Sequence, residues 1–299
     1  AISNLTVTLN PTSYTYDGNA KTPEVTVVDS NGDGNTTLTE GTDYTVAYSN
    51  NTNAGSGKVT ITGKGVYNST TKTKYTGSKE VTFTIERQAV AFPTCTAKTY
   101  NGSSQTLFDA HTSGQYTNTA LTGTNASSST NTYTVDLTPT ANYKWSDGSN
   151  VTSARTLTCV INKYTPSVAL SATTATVEWD HETTFTATPT VITACKGTLT
   201  AASADTTYAT ISSGASTANS MSATTIKWKG VLKTASSGVK INVNYTPTDT
   251  ANCNSATQQQ YTAKVTEYTP VIDYTPKSAV YTASAISIAR SEERRVGHE

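Results

Sequence analysis

The run Asp29-Ser-Asn31-Gly-Asp33-Gly34-Asn-Thr-Thr-Leu-Thr-Glu40 has the side chains and the spacing to hold calcium. Oxygen ligands at alternate positions, a glycine at the sharp turn and a carboxylate in last place are what a helix-flanked calcium loop uses. The flanks argue against it. Val25-Thr-Val-Val28 and Tyr44-Thr-Val46 read as strands, and Asp, Asn and Gly are also what a hairpin loop needs. A plain loop is the favoured reading. The alternative is a weak calcium site built on Asp29, Asn31 and Asp33, with Glu40 pointing away from the cluster. No other cofactor is expected.

Four cysteines offer a second chemistry. Cys95 and Cys159 read as belonging to the first and last strands of one β unit, which can lie side by side in a sandwich. A disulfide and two buried thiols are both open there. Cys195 and Cys253 form a weaker candidate pair. No Cys-x-x-Cys and no Cys/His cluster supports zinc. His111, His181 and His298 stand far apart, and no Gly-x-Ser-x-Gly elbow is present. The acidic residues fall mostly in turn sequences, not in the facing pair that glycoside hydrolysis requires. A non-enzyme is expected. Tyrosines such as Tyr44, Tyr48 and Tyr133 fall in core register. Trp145, at the tip of a predicted hairpin Trp145-Ser-Asp-Gly148, is the aromatic left for ligand contact.

The elements that must position these residues are strands. Thr makes up about a fifth of the 299 residues, with 17 Tyr and one Met; β-branched and flat side chains pack well on a pleated surface. Period-two alternation recurs in Leu5/Val7/Leu9, Tyr44/Val46/Tyr48, Val59/Ile61 and Val81/Phe83/Ile85. It recurs in Tyr133/Val135/Leu137 and in Leu157/Cys159/Ile161, which turns Cys159 inward. Later signals are Val168/Leu170, Val177/Trp179, Phe185/Ala187, Ile226/Trp228, Val239 to Tyr245, and Tyr261/Ala263/Val265. Asp180-His181-Glu182 reads as a turn, and Thr122 to Thr132 as a loop or weak edge.

These strands group into an all-β chain of tandem immunoglobulin-like antiparallel sandwiches in an elongated array. The expected units are 1–86, 87–163 and a diverged 164–266, then a truncated fourth at 267–289. Tyr164-Thr-Pro166 and Tyr268-Thr-Pro270 open the last two in the same way, and proline keeps each entering chain extended. The junctions are short, so a semi-rigid rod is expected. Basic and acidic residues balance at 21 each, which removes the electrostatic footprint of a nucleic-acid binder. No apolar run reaches the roughly 18 residues of a membrane span. Residues 290–299, Arg-Ser-Glu-Glu-Arg-Arg-Val-Gly-His-Glu, break from this composition. They resemble a translated sequencing adapter, His298 being the departure, with a natural charged tail as the alternative.

Two units share a signature. Ser13-Tyr-Thr-Tyr-Asp-Gly18 is matched by Thr99-Tyr-Asn-Gly102, and Val59 to Tyr67 by Tyr133 to Tyr143. With Gly41-Thr-Asp-Tyr-Thr-Val46, Tyr48 to Gly55 and Ala141-Asn-Tyr-Lys-Trp-Ser-Asp-Gly148, these motifs resemble the YDG and MBG immunoglobulin-like repeats of bacterial surface proteins. The likeness is good over 1–163 and loose over 164–266. It implies an extracellular location at the bacterial cell surface and a non-catalytic stalk or spacer presenting a distal domain. One alternative is an adhesin binding a glycan or a host or matrix protein through loops such as 122–132 or 142–150. The other is an ancillary module of a secreted polysaccharide-degrading enzyme.

Overall fold

A computed structural model gives the architecture, and residues 1–30, 35–147 and 151–269 are described. The expected fourth unit, the tail at 290–299, Asn31, Asp33 and Gly148 lie outside them, except for the residues up to Thr269. Among the described residues the chain is all-β, interrupted only by the short 3-10 turns Ile2–Asn4 and Thr193–Cys195. It builds tandem β-sandwich units around three hydrophobic cores.

The first core gathers Leu5, Leu9, Val27, Val59, Ile61, Phe83 and Ile85, the apolar members of the alternating runs. Each fully buried side chain of this kind contributes about 1.5–3 kcal/mol. The third core is larger and centres on Phe185, Ile226, Trp228, Tyr245 and Tyr261. Phe185 and Tyr261 stack with centroids 4.0 Å apart. The second core holds Tyr100, Leu107, Leu137, Trp145, Leu157 and Ile161, and it reaches past residue 163 to take in Cys195 and Cys253.

Pairing is mostly antiparallel, but every unit also contains a parallel pair, a refinement of the antiparallel expectation. Ser13–Thr15 runs parallel to Ser78–Glu86, Lys98–Thr99 to Ile161–Asn162, and Thr174–Glu178 to Gln259–Thr266. An early strand is thus hydrogen-bonded beside the last one in each unit. In the third unit, strands Gly197–Ser203, Ala209–Ser213 and Ser216–Ser220 were not expected from the sequence. Their small Ala, Ser and Thr side chains carry little apolar alternation. Leu121–Gly123 is likewise a strand, paired with Gln105–Phe108, where a loop or weak edge is expected.

Candidate functional site

Asp29 ends the strand Glu24–Asp29 and is 5% exposed. Its carboxylate accepts a hydrogen bond from the Tyr75 hydroxyl at 2.7 Å. Burial, and then the neighbouring Asp29 carboxylate, push the Tyr75 phenol above its usual pKa. Asp29 therefore serves the interior of unit one. Glu40 is exposed and bridges to Tyr44. Among the described residues no group of three or more His, Cys, Asp or Glu converges on a metal position. Thermal melts in excess calcium and in chelator are expected to coincide. A calcium-dependent rise in the first transition would restore the calcium reading, since a ligand of the folded state stabilises by mass action.

Cys95 and Cys159 are bonded, with S–S 2.04 Å and Cα–Cα 5.3 Å. Cys95 lies beyond the first strand, Gln88–Val90, in a segment that belongs to no strand, rather than in it. Cys195 and Cys253 are bonded too, with Cα–Cα 5.9 Å.

Trp145 corrects the sequence reading. It is 1% exposed, its indole N–H donates to the Ser153 carbonyl at 3.1 Å, and Phe92 meets it edge-on at 5.0 Å. Asp147 beyond it is exposed and ion-paired with Arg155, whose hydrogen bond holds the Asp147 carboxyl below its usual pKa. The bend at 146–147 is polar, and the tryptophan before it is core.

The histidines are dispersed. His111 packs between Phe108 and Tyr116, at 5.6 and 5.0 Å. Its Nδ1 lies 3.1 Å from the Asp109 carbonyl and 3.0 Å from Asn118 Oδ1, both acceptors, so Nδ1 carries the proton. A cleft of about 400 Å³ beside it is lined by Cys95, Lys98, Asp109, His111 and Tyr116. His181 belongs to another unit.

Among the described residues the most specific geometry is at the junctions, and it occurs twice. After unit one, Gln88 N–H donates to the Asn142 carbonyl, while Asn142 Oδ1 accepts from Ala54 N–H at 2.8 Å. After unit two, Tyr164 N–H donates to the Asn252 carbonyl, while Asn252 Oδ1 accepts from Ala126 N–H at 2.7 Å. The basic linker residue adds a bond each time: Arg87 to the Ala141 carbonyl at 2.9 Å, Lys163 to that of Thr250 at 2.7 Å. One asparagine thus ties the linker and a loop of the preceding unit to the unit that follows. The sequence context repeats as well, Asn53-Ala54 and Asn125-Ala126 facing Thr140-Ala-Asn142 and Thr250-Ala-Asn252.

The shared Tyr-Asx-Gly signature lies at the same two places. Tyr16 N–H bonds the Glu86 carbonyl at 2.8 Å, and Tyr100 N–H bonds that of Asn162 at 2.9 Å, each extending the parallel pair by one residue. Asp17 and Asn101 then accept from the N–H two residues on, both at 2.9 Å. This Asx turn leads through Gly18 at φ 85° and Gly102 at φ 82°. The Tyr16 ring meets Tyr143 of the next unit edge-on at 5.5 Å. Tyr100 shares a core with Cys195 and Cys253, and a Cβ on Gly102 would come within 2.7 Å of the Ala194 methyl. The signature therefore turns the chain against the following unit.

Sequence reasoning did not find these clasps. The paired Thr-Ala-Asn tripeptides were the available signal, but Thr217-Ala-Asn219 has the same letters inside the strand Ser216–Ser220. Asn142→Ala and Asn252→Ala should each leave an Ala N–H without its acceptor. That costs about 1–3 kcal/mol where the group stays dry. Faster amide exchange at Ala54 or Ala126, with the strand Tyr133–Pro139 unchanged, would show it. Unchanged exchange at both would remove the clasp.

No protein-family model and no curated protein matches the chain. Among solved structures it is similar to the surface layer protein SbsC, domains 1–6, at 16% identity and TM-score 0.28 over 92% of this chain. The chain spans 42% of that structure's length. It is also similar to a Dpr2 Ig1–Ig2 complex with DIP-Theta Ig1–Ig3, at 9% identity and TM-score 0.26, covering 87% of this chain and 99% of that one. Likenesses at this level carry no functional assignment.

Proposed function

We propose that the chain is a non-catalytic stalk, part of a bacterial cell-surface or secreted protein that holds a distal domain at a distance. The observation that carries this reading is the junction built twice from corresponding residues. A flexible tether needs no such construction, since a Gly/Ser-rich linker would serve. Here each linker is pinned by its basic residue and by the asparagine of the following unit. The resemblance of the Tyr-Asx-Gly units to YDG and MBG surface repeats points to the same setting.

The adhesin alternative would use loops such as 122–132 or 142–150 for a ligand. Ala126 and Asn142 are instead taken up in the clasps, so those loops favour the stalk. Small-angle scattering should give an elongated particle whose dimensions do not change with salt, as a linker held by direct contacts requires. A compact globule, or a broad distribution of lengths, would sink the reading.

A further inference from the structure

Asn101 and Gly102 form the turn of the Tyr-Asx-Gly signature in unit two, and both are exposed. Unit one carries Asp17 at this place, and its carboxylate accepts from Asn19 N–H at 2.9 Å. Asn101 makes the same bond to Ser103 N–H, also at 2.9 Å, but through a carboxamide. A carboxamide has a reaction that a carboxylate at neutral pH lacks. Its carbon can be attacked by the next peptide nitrogen, with ammonia as the leaving group.

The surroundings of Asn101 favour that attack. Gly102 has no side chain to shield its nitrogen, and its φ of 82° is one that few other residues adopt. Among the described residues the Gly102 N–H has no acceptor, so hydroxide or a buffer base can reach its proton. The Ser103 N–H already points at Asn101 Oδ1, the oxygen on which negative charge develops as the carbon becomes tetrahedral. The clasp asparagines lack these advantages at the following residue. Asn142 precedes Tyr143, whose N–H donates to the Thr140 carbonyl at 2.9 Å. Asn252 precedes Cys253, whose N–H donates to the Asp249 carbonyl at 3.0 Å.

We propose that Asn101–Gly102 is a self-modification site whose isoaspartate product loosens the joint between units two and three. The Gly102 nitrogen, having lost its proton, bonds to Asn101 Cγ. The Cγ–Nδ2 bond breaks, and ammonia departs with a proton from water to leave a cyclic imide. Water then opens the imide at one of its two carbonyls. Opening at Cγ gives aspartate, the residue unit one uses, and the turn persists. Opening at the backbone carbonyl gives isoaspartate, whose main chain runs through Cβ and Cγ and is one atom longer. This turn has no room for that atom, because even a Cβ on Gly102 would come within 2.7 Å of the Ala194 methyl of unit three. Ala194 adjoins Cys195, which is bonded to Cys253 beside the clasp residue Asn252. The site rests on the turn and its packing and not on the stalk reading, so a compact particle in scattering would leave it standing.

The test is to hold the full chain in mildly alkaline buffer and map its peptides by mass spectrometry. Digestion in isotope-labelled water marks any conversion made in handling. Asn101 should convert at least about ten-fold faster than Asn142 or Asn252, a factor that the hydrogen bond on the following N–H would by itself supply. Isoaspartate should be part of the product. As it accumulates, amide exchange at Ala126, which donates to Asn252, should speed up while Ala54 keeps its rate. Asn101→Asp should leave exchange at Ala126 slow, separating the extra main-chain atom from the added charge. Asn101→Gln, whose longer side chain closes an imide far less readily, should gain no exchange on incubation. Conversion at Asn101 no faster than at the clasp asparagines would overturn the inference. So would fast Ala126 exchange already present in Asn101→Asp, or an unchanged rate in the isoaspartate form.

Discussion

Trp145→Ala is expected to destabilise unit two by about 3–5 kcal/mol, the usual range for emptying a large aromatic site in a packed core. The ring is buried, hydrogen-bonded to Ser153, and flanked by Phe92 at 5.0 Å and Tyr116 at 5.7 Å. Phe92 in turn carries the Arg155 guanidinium 4.3 Å from its centroid. Unit two has short strands and few large aliphatic residues, so it can collapse onto the vacancy only in part. A domain with a total stability of about 5–15 kcal/mol has little to spare. Calorimetry should show the unit-two transition shifted down or lost, with the transition of unit three retained. A shift of under about 1 kcal/mol would mean that the core can repack, as volume-conserving changes do. There is also a practical consequence. An alanine scan for ligand binding would score Trp145 as a contact residue because its domain had unfolded.

The fate of Trp145 shows what was legible in the sequence and what was not. Strand periodicity is a local signal, and it identified the strands that carry Leu5 to Leu9, Val59 and Ile61, Val135 and Leu137, and Val239 to Tyr245. Burial of a residue beside a turn depends on what folds over it. For Trp145 that cover comes from Phe92 and Tyr116, which are distant in sequence. The cysteine pairs were visible as candidates because their chemistry has few partners to choose from. The placement of Cys195 and Cys253 in the core of the preceding unit was not visible. Neither was the role of Asn142 and Asn252, because asparagine is common in any loop and its meaning here lies in one acceptor oxygen aimed at another unit. The Tyr-Asx-Gly signature was seen and read as a family mark. Its physical content, a parallel pair extended by one residue and then an Asx turn toward the neighbour, needed the register of strands at opposite ends of each unit. For Asp29 the favoured reading is a plain loop, with calcium as the alternative. It fitted a ligand motif by spacing, while its carboxylate is bonded to Tyr75 inside unit one.

The two disulfides should differ in what their loss does. Cys195 and Cys253 are 58 residues apart and Cys95 and Cys159 are 64 apart, so in the chain-entropy picture each removes about 4 kcal/mol of unfolded-state freedom. By that term alone, Cys95→Ala/Cys159→Ala should destabilise unit two and Cys195→Ala/Cys253→Ala unit three, by similar amounts. Burial breaks the symmetry. The core of unit three, around Trp228 and Tyr261, contains neither Cys195 nor Cys253. Both pack with Tyr100, Ile161 and Cys159 in the core of unit two, where they are 0% and 2% exposed. Cys253 is bridge-paired to the linker at Tyr164, and its neighbour Asn252 holds Ala126. Removing the second bond should therefore lower the transitions of units two and three together and loosen the junction between them. Removing the first should lower unit two and leave the strand Thr224–Gly230 as protected from exchange as before. Equal and confined effects from both pairs would show that the Cys195–Cys253 bond is only a clamp within its own unit. A coupled loss from the second pair alone would identify it as the covalent part of the joint that keeps the two units in line.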